Sequence, residues 1–252
     1  MRFPHSSLIL CATQRCGSTM IVEDMRNATV LGHPEEWFVP WQASKPDINW
    51  RQALSGVIKR ATSANGIAAI KVMANQIAPV EACLVTFMDA PRDTPYARFA
   101  EITQNCTFIK IQRDDIVFQA ISRVISRQTG INHATGKKGD EHFAGNRMDG
   151  YSSDYNAQAK YQYGKIREEC LNITLENLVW TRFFEMYGIV PEVLRYEEVS
   201  TDGTLEHINM MARLSGVELP LNRASRKMVK LGNARNDEWR NQFYSDLGSR
   251  EM

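Results

Sequence analysis

The segment LILCATQRCGSTM, residues 8–20, gathers Arg15, Gly17, Ser18 and Thr19 into one polar turn between an apolar run and an amphipathic stretch. These residue types suit an anion. A strand that passes through a turn into a helix aims free backbone N–H groups and the positive helix end at one point. Gly17 removes the Cβ that would block close approach, and Ser18 and Thr19 add hydroxyl donors. Arg15 adds a guanidinium able to hold a phosphate or sulfate through two parallel bonds. Standing alone, the same turn also reads as a capped helix start that binds nothing, because such motifs are loose.

Known anion loops narrow the choice. A Walker A loop needs G-x-x-x-x-G-K-[ST], but Ser18 stands where the lysine belongs and Ala12 where the first glycine belongs. An ordinary ATP or GTP site is disfavoured. A cysteine phosphatase needs an arginine six residues after its nucleophile, whereas Cys11 is followed there by Gly17 and Cys16 by Val22.

Such a turn works only where a sheet holds it. Apolar, β-rich runs recur at 6–13, 66–73, 106–112 and 191–199, and helical patterns at 18–29, 49–63, 114–128 and 159–188 separate them. Ser18 is the expected N-cap of the first helix, with Met20, Ile21, Met25 and Ala28 near one face. The long helix ends at Gly188, with Pro191 just beyond. This alternation predicts an α/β fold with a parallel sheet covered by helices, and ligands at the carboxyl ends of its strands, after residues 13, 73 and 112. Residues 130–154 are polar and glycine-rich without periodicity, which reads as a functional flap or as disorder.

The bulk numbers set the outer bounds. At 252 residues, 43% hydrophobic and 23% charged, the chain can bury a full core, and one domain over 1–252 is expected. Lys plus Arg number 30 against 29 Asp plus Glu, so no global field draws nucleic acid or an anionic membrane, and any anion must be held by a local cluster. No apolar run reaches the length of a transmembrane segment and no signal peptide is visible, which places the protein in the cytoplasm. Five scattered cysteines without a CxxC pair predict reduced thiols, with no metal site.

Five segments together carry a family resemblance. QRCGST (14–19) resembles the 5′-phosphosulfate loop of sulfotransferases that use 3′-phosphoadenosine 5′-phosphosulfate (PAPS), in particular the QRSGST form of the bacterial trehalose sulfotransferase family. GHPEEWF (32–38) is similar to that family's G-x-P-x-E-[FY]-F, IKVMANQ (70–76) to its GKLMWNQ, and IQRDDIVFQAIS (111–122) to its 3′-phosphate motif. NARNDEWRNQF (233–243) resembles its C-terminal box that closes over the nucleotide. The resemblance implies a three-layer P-loop-like fold and sulfuryl transfer from PAPS to a hydroxyl of a carbohydrate or glycolipid-type acceptor. The product would be 3′-phosphoadenosine 5′-phosphate (PAP), and the assembly a homodimer.

It also assigns roles. Arg15, Cys16, Gly17, Ser18 and Thr19 would bind the 5′ end of the donor, and Arg113 and Ser122 the 3′-phosphate. Glu36 would be the general base, with His33 beside it on the acceptor. In an extended segment Glu35 and Glu36 face opposite ways, and the resemblance selects Glu36. Lys71 ends a β run and would bind the bridging oxygen or the sulfonate, or pair with a carboxylate. Arg226, Lys227 and Lys230 form a small basic group that reads either as a contact for the 3′-phosphate or as solvated surface, while Tyr196, Glu197 and Glu198 read as structural. The chain departs from the family at His33, where the trehalose enzyme has glutamate, and at Ala74, where the motif has tryptophan, which weakens any transfer of trehalose specificity. Rival readings are a PAP- or PAPS-binding regulatory protein without turnover, and a nucleotide kinase with a degenerate loop.

Overall fold

The computed structural model describes residues 1–42, 48–89 and 94–250. Along the chain its elements are β1 (Leu8–Ala12), α1 (Ser18–Ala28), α2 (Trp50–Ala61), β2 (Ala69–Met73), α3 (Ile77–Leu84), α4 (Ala97–Ile102) and β3 (Thr107–Gln112). There follow α5 (Ile116–Thr129), β4 (His133–Ala134), β5 (Arg147–Met148), α6 (Tyr163–Tyr187), β6 (Glu192–Arg195), α7 (Tyr196–Val199), α8 (Glu206–Ser215) and α9 (Ala234–Arg250). The four longer strands form a parallel sheet in the order β2-β1-β3-β6, and β4 pairs with β5 in a separate short ladder.

β1 is buried along its whole length, as a strand covered on both faces must be. Its side chains alternate between two cores. Ile9 and Cys11 join Leu54, Val80, Phe99, Trp180 and Phe183 under α2, α3, α4 and α6, whereas Leu8, Leu10 and Ala12 join Ile21, Met25, Ile208 and Met211 under α1 and α8. Helices on both faces make the three layers. A third core, with Ile121, Val124, Ile173, Trp239 and Phe243, clamps α5 between α6 and α9 and so fixes the helix that faces the opening turn. The indole N–H of Trp180 donates to the Ala12 carbonyl at 3.1 Å, tying the end of β1 to α6.

One local expectation is corrected, and two segments gain detail. The N-cap of α1 is Gly17, not Ser18, and no side chain caps it; the turn needs left-handed backbone just before the helix, which puts the cap on a glycine. The last strand stops at Arg195, and Tyr196–Val199 coil into α7, with Ser200 N–H donating to the Tyr196 carbonyl at 2.8 Å. Residues 130–154, read as a flap or as disorder, hold no helix. They carry β4 and β5 and pair with a later strap, Gly136 N–H donating to the Lys227 carbonyl at 2.8 Å and Val229 N–H to the Ala134 carbonyl at 3.0 Å. Among the described residues no helix is long and apolar enough to cross a membrane.

Candidate active site

Between β1 and α1 the backbone is left-handed at Arg15 (φ 65°) and Gly17 (φ 90°). A Cβ on Gly17 would lie 2.2 Å from Tyr196 Cδ2, so this position accepts only glycine. At arginine the left-handed region costs on the order of 1–2 kcal/mol and must be imposed by surrounding bonds. The bonds come from α5. Gln119 Nε2 and Arg123 Nε both donate to the Gln14 carbonyl, at 2.6 and 3.0 Å, and Gln119 Nε2 reaches Thr13 Oγ1 at 2.9 Å. Arg113 Nη1 donates to the Arg15 carbonyl at 3.3 Å. Gln119 and Arg123 lie one helical turn apart and share a face; Arg123 is itself held by Glu169 and Glu176. Their burial is legible as periodicity in one sequence, but their partner is not. Replacing Gln119 with leucine leaves the Thr13 hydroxyl without its donor and the Gln14 carbonyl with Arg123 alone, with an expected cost of about 1–3 kcal/mol in urea unfolding and weaker anion binding in calorimetry.

A cavity of about 320 Å³ opens over this turn, bounded by the loop, by Arg113, Phe118 and Ser122, and by the strap around Arg226–Gly232. Arg15 Nε donates to Ser122 Oγ at 3.0 Å, and Arg15 Nη1 to the Asn132 carbonyl. The Arg113 guanidinium lies 4.6 Å from the Tyr196 ring and 5.1 Å from the Phe118 ring. Among the described residues neither arginine pairs with a carboxylate, and Arg113 Nε is buried without a partner. Burial is the main cause that lowers both, Arg15 to about 10, and both stay cationic at neutral pH. Two partly desolvated cations with no carboxylate paired to them among the described residues, Arg113 feeling Glu197 and Asp115 only at longer range, are costly unless an anion completes them. Gly17, Ser18 and Thr19, whose N–H groups head α1 without intrahelical acceptors, line the same space. The residues thus fit a nucleotide bearing two phosphate groups.

The strap is held by two buried carboxylates on α1 that sequence reasoning passed over. Glu23 accepts from Lys227 N–H at 2.6 Å and Met228 N–H at 3.0 Å. Asp24 accepts from Arg226 Nε at 2.9 Å and Nη2 at 2.6 Å, and meets His207 Nε2 at 2.9 Å. The basic group therefore splits: Arg226 and Lys230 line the cavity, while Lys227 Nζ turns to the Glu141 carbonyl at 3.3 Å. From the C-terminal box, Asn236 lines the cavity, and Arg240 pairs with Asp115 at 3.1 Å.

A smaller cavity of about 160 Å³ adjoins the first and reaches Glu36, Lys71 and Met73. Glu36 Oε1 pairs with Lys71 Nζ at 2.9 Å, and its Oε2 accepts from Gln76 Nε2 at 2.9 Å. Gln76 cannot turn away, because its Oε1 accepts from Met73 N–H at 3.1 Å. Lys71, buried at the sheet edge, also reaches Thr19 Oγ1 at 3.4 Å and so links the carboxylate to the anion loop. Glu35 turns the other way to Arg26, and its carbonyl accepts from Lys71 N–H at 3.1 Å. Three residues singled out in the sequence stand apart. His33 is exposed and lines neither cavity, its N–H bonded to the Ala61 carbonyl and its own carbonyl to Trp37 Nε1. Ala74 is buried in the first core and lines neither cavity. Cys16 is buried in the second core, and its N–H turns inward to the Thr13 carbonyl at 3.3 Å.

His133, which no motif marked, lines both cavities. Burial, then the charges of Arg15, Lys71 and His142, lowers its pKa from 6.5 to about 3. The unfolded chain binds this proton near 6.5 and the folded chain only near 3, so the stability tied to the neutral ring is complete above about 6.5 and is lost as pH falls toward 3. Over that range the thermal midpoint is expected to fall more steeply for the wild type than for His133→Asn.

Comparison with known proteins places the chain in a family. The family described as Stf0 sulphotransferase matches residues 7–246. The chain belongs to the Stf0 sulphotransferase family. A curated relative, trehalose 2-sulfotransferase of Mycobacterium tuberculosis (strain ATCC 35801 / TMC 107 / Erdman), is 23% identical over 273 residues, covering 94% of each chain. A solved sulfotransferase from Alicyclobacillus acidocaldarius is similar at 10% identity and a TM-score of 0.47, over 96% of this chain and 92% of that one. Both the Stf0 resemblance read from the five segments and the expected α/β fold with its central parallel sheet are borne out. Among the described residues of this Stf0 family member, no group of three or more His, Cys, Asp or Glu is arranged to hold a metal ion.

Proposed function

We propose that this sulfotransferase moves a sulfuryl group from PAPS to a hydroxyl of a carbohydrate or glycolipid-type acceptor and releases PAP. The observation that carries this reading is the pair Arg15 and Arg113, two guanidiniums without carboxylate partners among the described residues, in a cavity that adjoins the Glu36–Lys71 pair. PAPS supplies the sulfuryl group together with its leaving group. Arg15 and the N–H groups of Gly17, Ser18 and Thr19 hold the 5′ side, and Arg113 with Ser122 the 3′-phosphate. Glu36 takes the proton of the acceptor hydroxyl as its oxygen bonds to sulfur, and Lys71 fixes that carboxylate while facing the oxygens at the transfer point. The work is positioning and charge, as in phosphoryl transfer.

The named activity of the curated relative favours a carbohydrate acceptor. Trehalose belongs in the acceptor panel, since His33 and Ala74, where the chain departs from the family pattern, line neither cavity. We read residues 1–252 as one domain acting in the cytoplasm as a homodimer. The test is titration calorimetry of the protein with PAP and, separately, adenosine 5′-phosphate, without metal. Micromolar PAP binding with much weaker adenosine 5′-phosphate binding supports the two-phosphate site and justifies an acceptor screen with labelled PAPS. Equal or absent binding overturns the reading.

A further inference from the structure

The two cavities meet at Arg15, Ser18, Thr19, Asn132 and His133, so a group passing from a ligand in one to a ligand in the other passes among these five. Three are already engaged. Arg15 donates to Ser122 and to the Asn132 carbonyl, Asn132 Oδ1 accepts from Ser126, and Thr19 Oγ1 accepts from Lys71. Ser18 opens the first turn of α1. His133 differs from them. Among the described residues no hydrogen bond reaches its ring, and the residue lines both cavities.

Its backbone is fixed on both sides. His133 is paired with Arg147 in the β4–β5 ladder, the preceding Asn132 N–H donates to the Asn146 carbonyl at 2.8 Å, and the following Ala134 carbonyl accepts from Val229 N–H in the strap. Backbone pairing of this kind positions the residue that carries the side chain before any ligand arrives, which favours alignment of reacting atoms.

We infer that His133 is a further catalytic residue of the reaction proposed above, donating its ring N–H to an oxygen of the sulfuryl group where the two cavities meet. The inference rests on the PAPS reading. A base at this point would end as an imidazolium beside two cations, Arg15 and Lys71, which disfavours the charged form. A neutral imidazole keeps one donor and one acceptor nitrogen, and the donor suits an anionic oxygen. Proton removal therefore stays with Glu36, and His133 holds the sulfuryl group in line between leaving oxygen and acceptor.

The experiment uses the full chain with its histidine rings labelled with nitrogen-15, and His133→Asn to assign the signal among the five histidines. The ring resonances of His133 are followed with PAP and with PAPS, which differ only in the sulfuryl group. PAP affinity and release of PAP from PAPS, with water and with trehalose as acceptors, are measured for the wild type, His133→Asn and His133→Phe. A ring shift with PAPS that PAP does not produce is expected. His133→Phe is expected to bind PAP within about threefold of the wild type and to lose about 10²-fold in transfer, with His133→Asn recovering part of it. If PAP binds but the ring ignores PAPS, or if His133→Phe transfers normally, the role of His133 is wrong and the nucleotide reading stands. If His133→Phe loses PAP affinity and transfer in parallel, His133 supports the cavity wall and the inference fails. If the wild type does not bind PAP, the functional reading falls, and this inference with it.

Discussion

Glu36→Gln is expected to bind PAP with nearly unchanged affinity and to lose about 10²–10⁴-fold in transfer, the range that general base catalysis supplies. Affinity survives because Glu36 lines the smaller cavity and not the larger one, where Arg15 and Arg113 lie. Transfer is lost because an amide cannot take the hydroxyl proton. The substitution also has a structural cost that must be separated from the chemical one. Lys71 Nζ and Gln76 Nε2 both donate to Glu36, and only a carboxylate can accept on both sides. A glutamine must turn its NH2 toward one of these donors, at an expected cost of about 1–3 kcal/mol in thermal or urea unfolding. Labelled PAPS transfer, PAP calorimetry and unfolding, run on the same preparations, separate the two effects. A variant that folds, binds PAP and still transfers at the wild-type rate removes Glu36 from the mechanism, and joint loss of affinity and transfer reassigns it to nucleotide binding.

Gly17→Ala is expected to weaken PAP binding at least ~10²-fold, which corresponds to about 2.7 kcal/mol. Two penalties combine. The left-handed backbone at φ 90° strains any residue with a Cβ, and that Cβ would sit 2.2 Å from Tyr196 Cδ2 and 2.9 Å from Tyr196 Cε2. The Tyr196 ring contacts the Arg113 guanidinium, so a ring that retreats disturbs the proposed 3′-phosphate site as well as the 5′ loop. A double-mutant cycle distinguishes clash from backbone strain. Trimming the ring with Tyr196→Ala in the Gly17→Ala background restores part of the lost stability if the clash dominates and none if the strain does. Unchanged PAP affinity in the single variant would show that the loop does not grip the nucleotide.

The parts of this site legible in the sequence are those whose cause is local. A glycine after one strand and an arginine ending another announce themselves through parallel-sheet geometry, whereas Ser122 is picked out only by the motif resemblance, and Gly17, Arg113 and Ser122 do line one cavity. What stayed hidden acts over distance. Arg123 orients the Gln14 carbonyl from 109 residues away, and Lys227 meets Glu23 across 204. Periodicity shows that such residues are buried but not what they face. Tyr196 was read as structural from its place after the last strand; that it packs on Gly17 depends on β6 stopping at Arg195. His33 was selected as a neighbour of Glu36, and the bend of residues 32–38 carries it to the surface instead. His133 lay in a segment without any pattern, and only its pairing with β5 and the strap sets it between the cavities.

The pairing of strap and flap also orders events during synthesis. Residues 8–122 contain the anion loop, Glu36, Lys71, Arg113 and Ser122, and the ribosome delivers all of them before the strap. Glu23 and Asp24 then wait some two hundred residues for Arg226, Lys227 and Met228 before the strap can be drawn across the opening. Contacts of such long sequence separation form late, after the loop-closure cost has been met. A nascent chain halted before residue 226 would therefore carry every side chain proposed for the chemistry and still lack one wall of the larger cavity, so that retention on immobilised PAP is expected to begin only once the strap has been made.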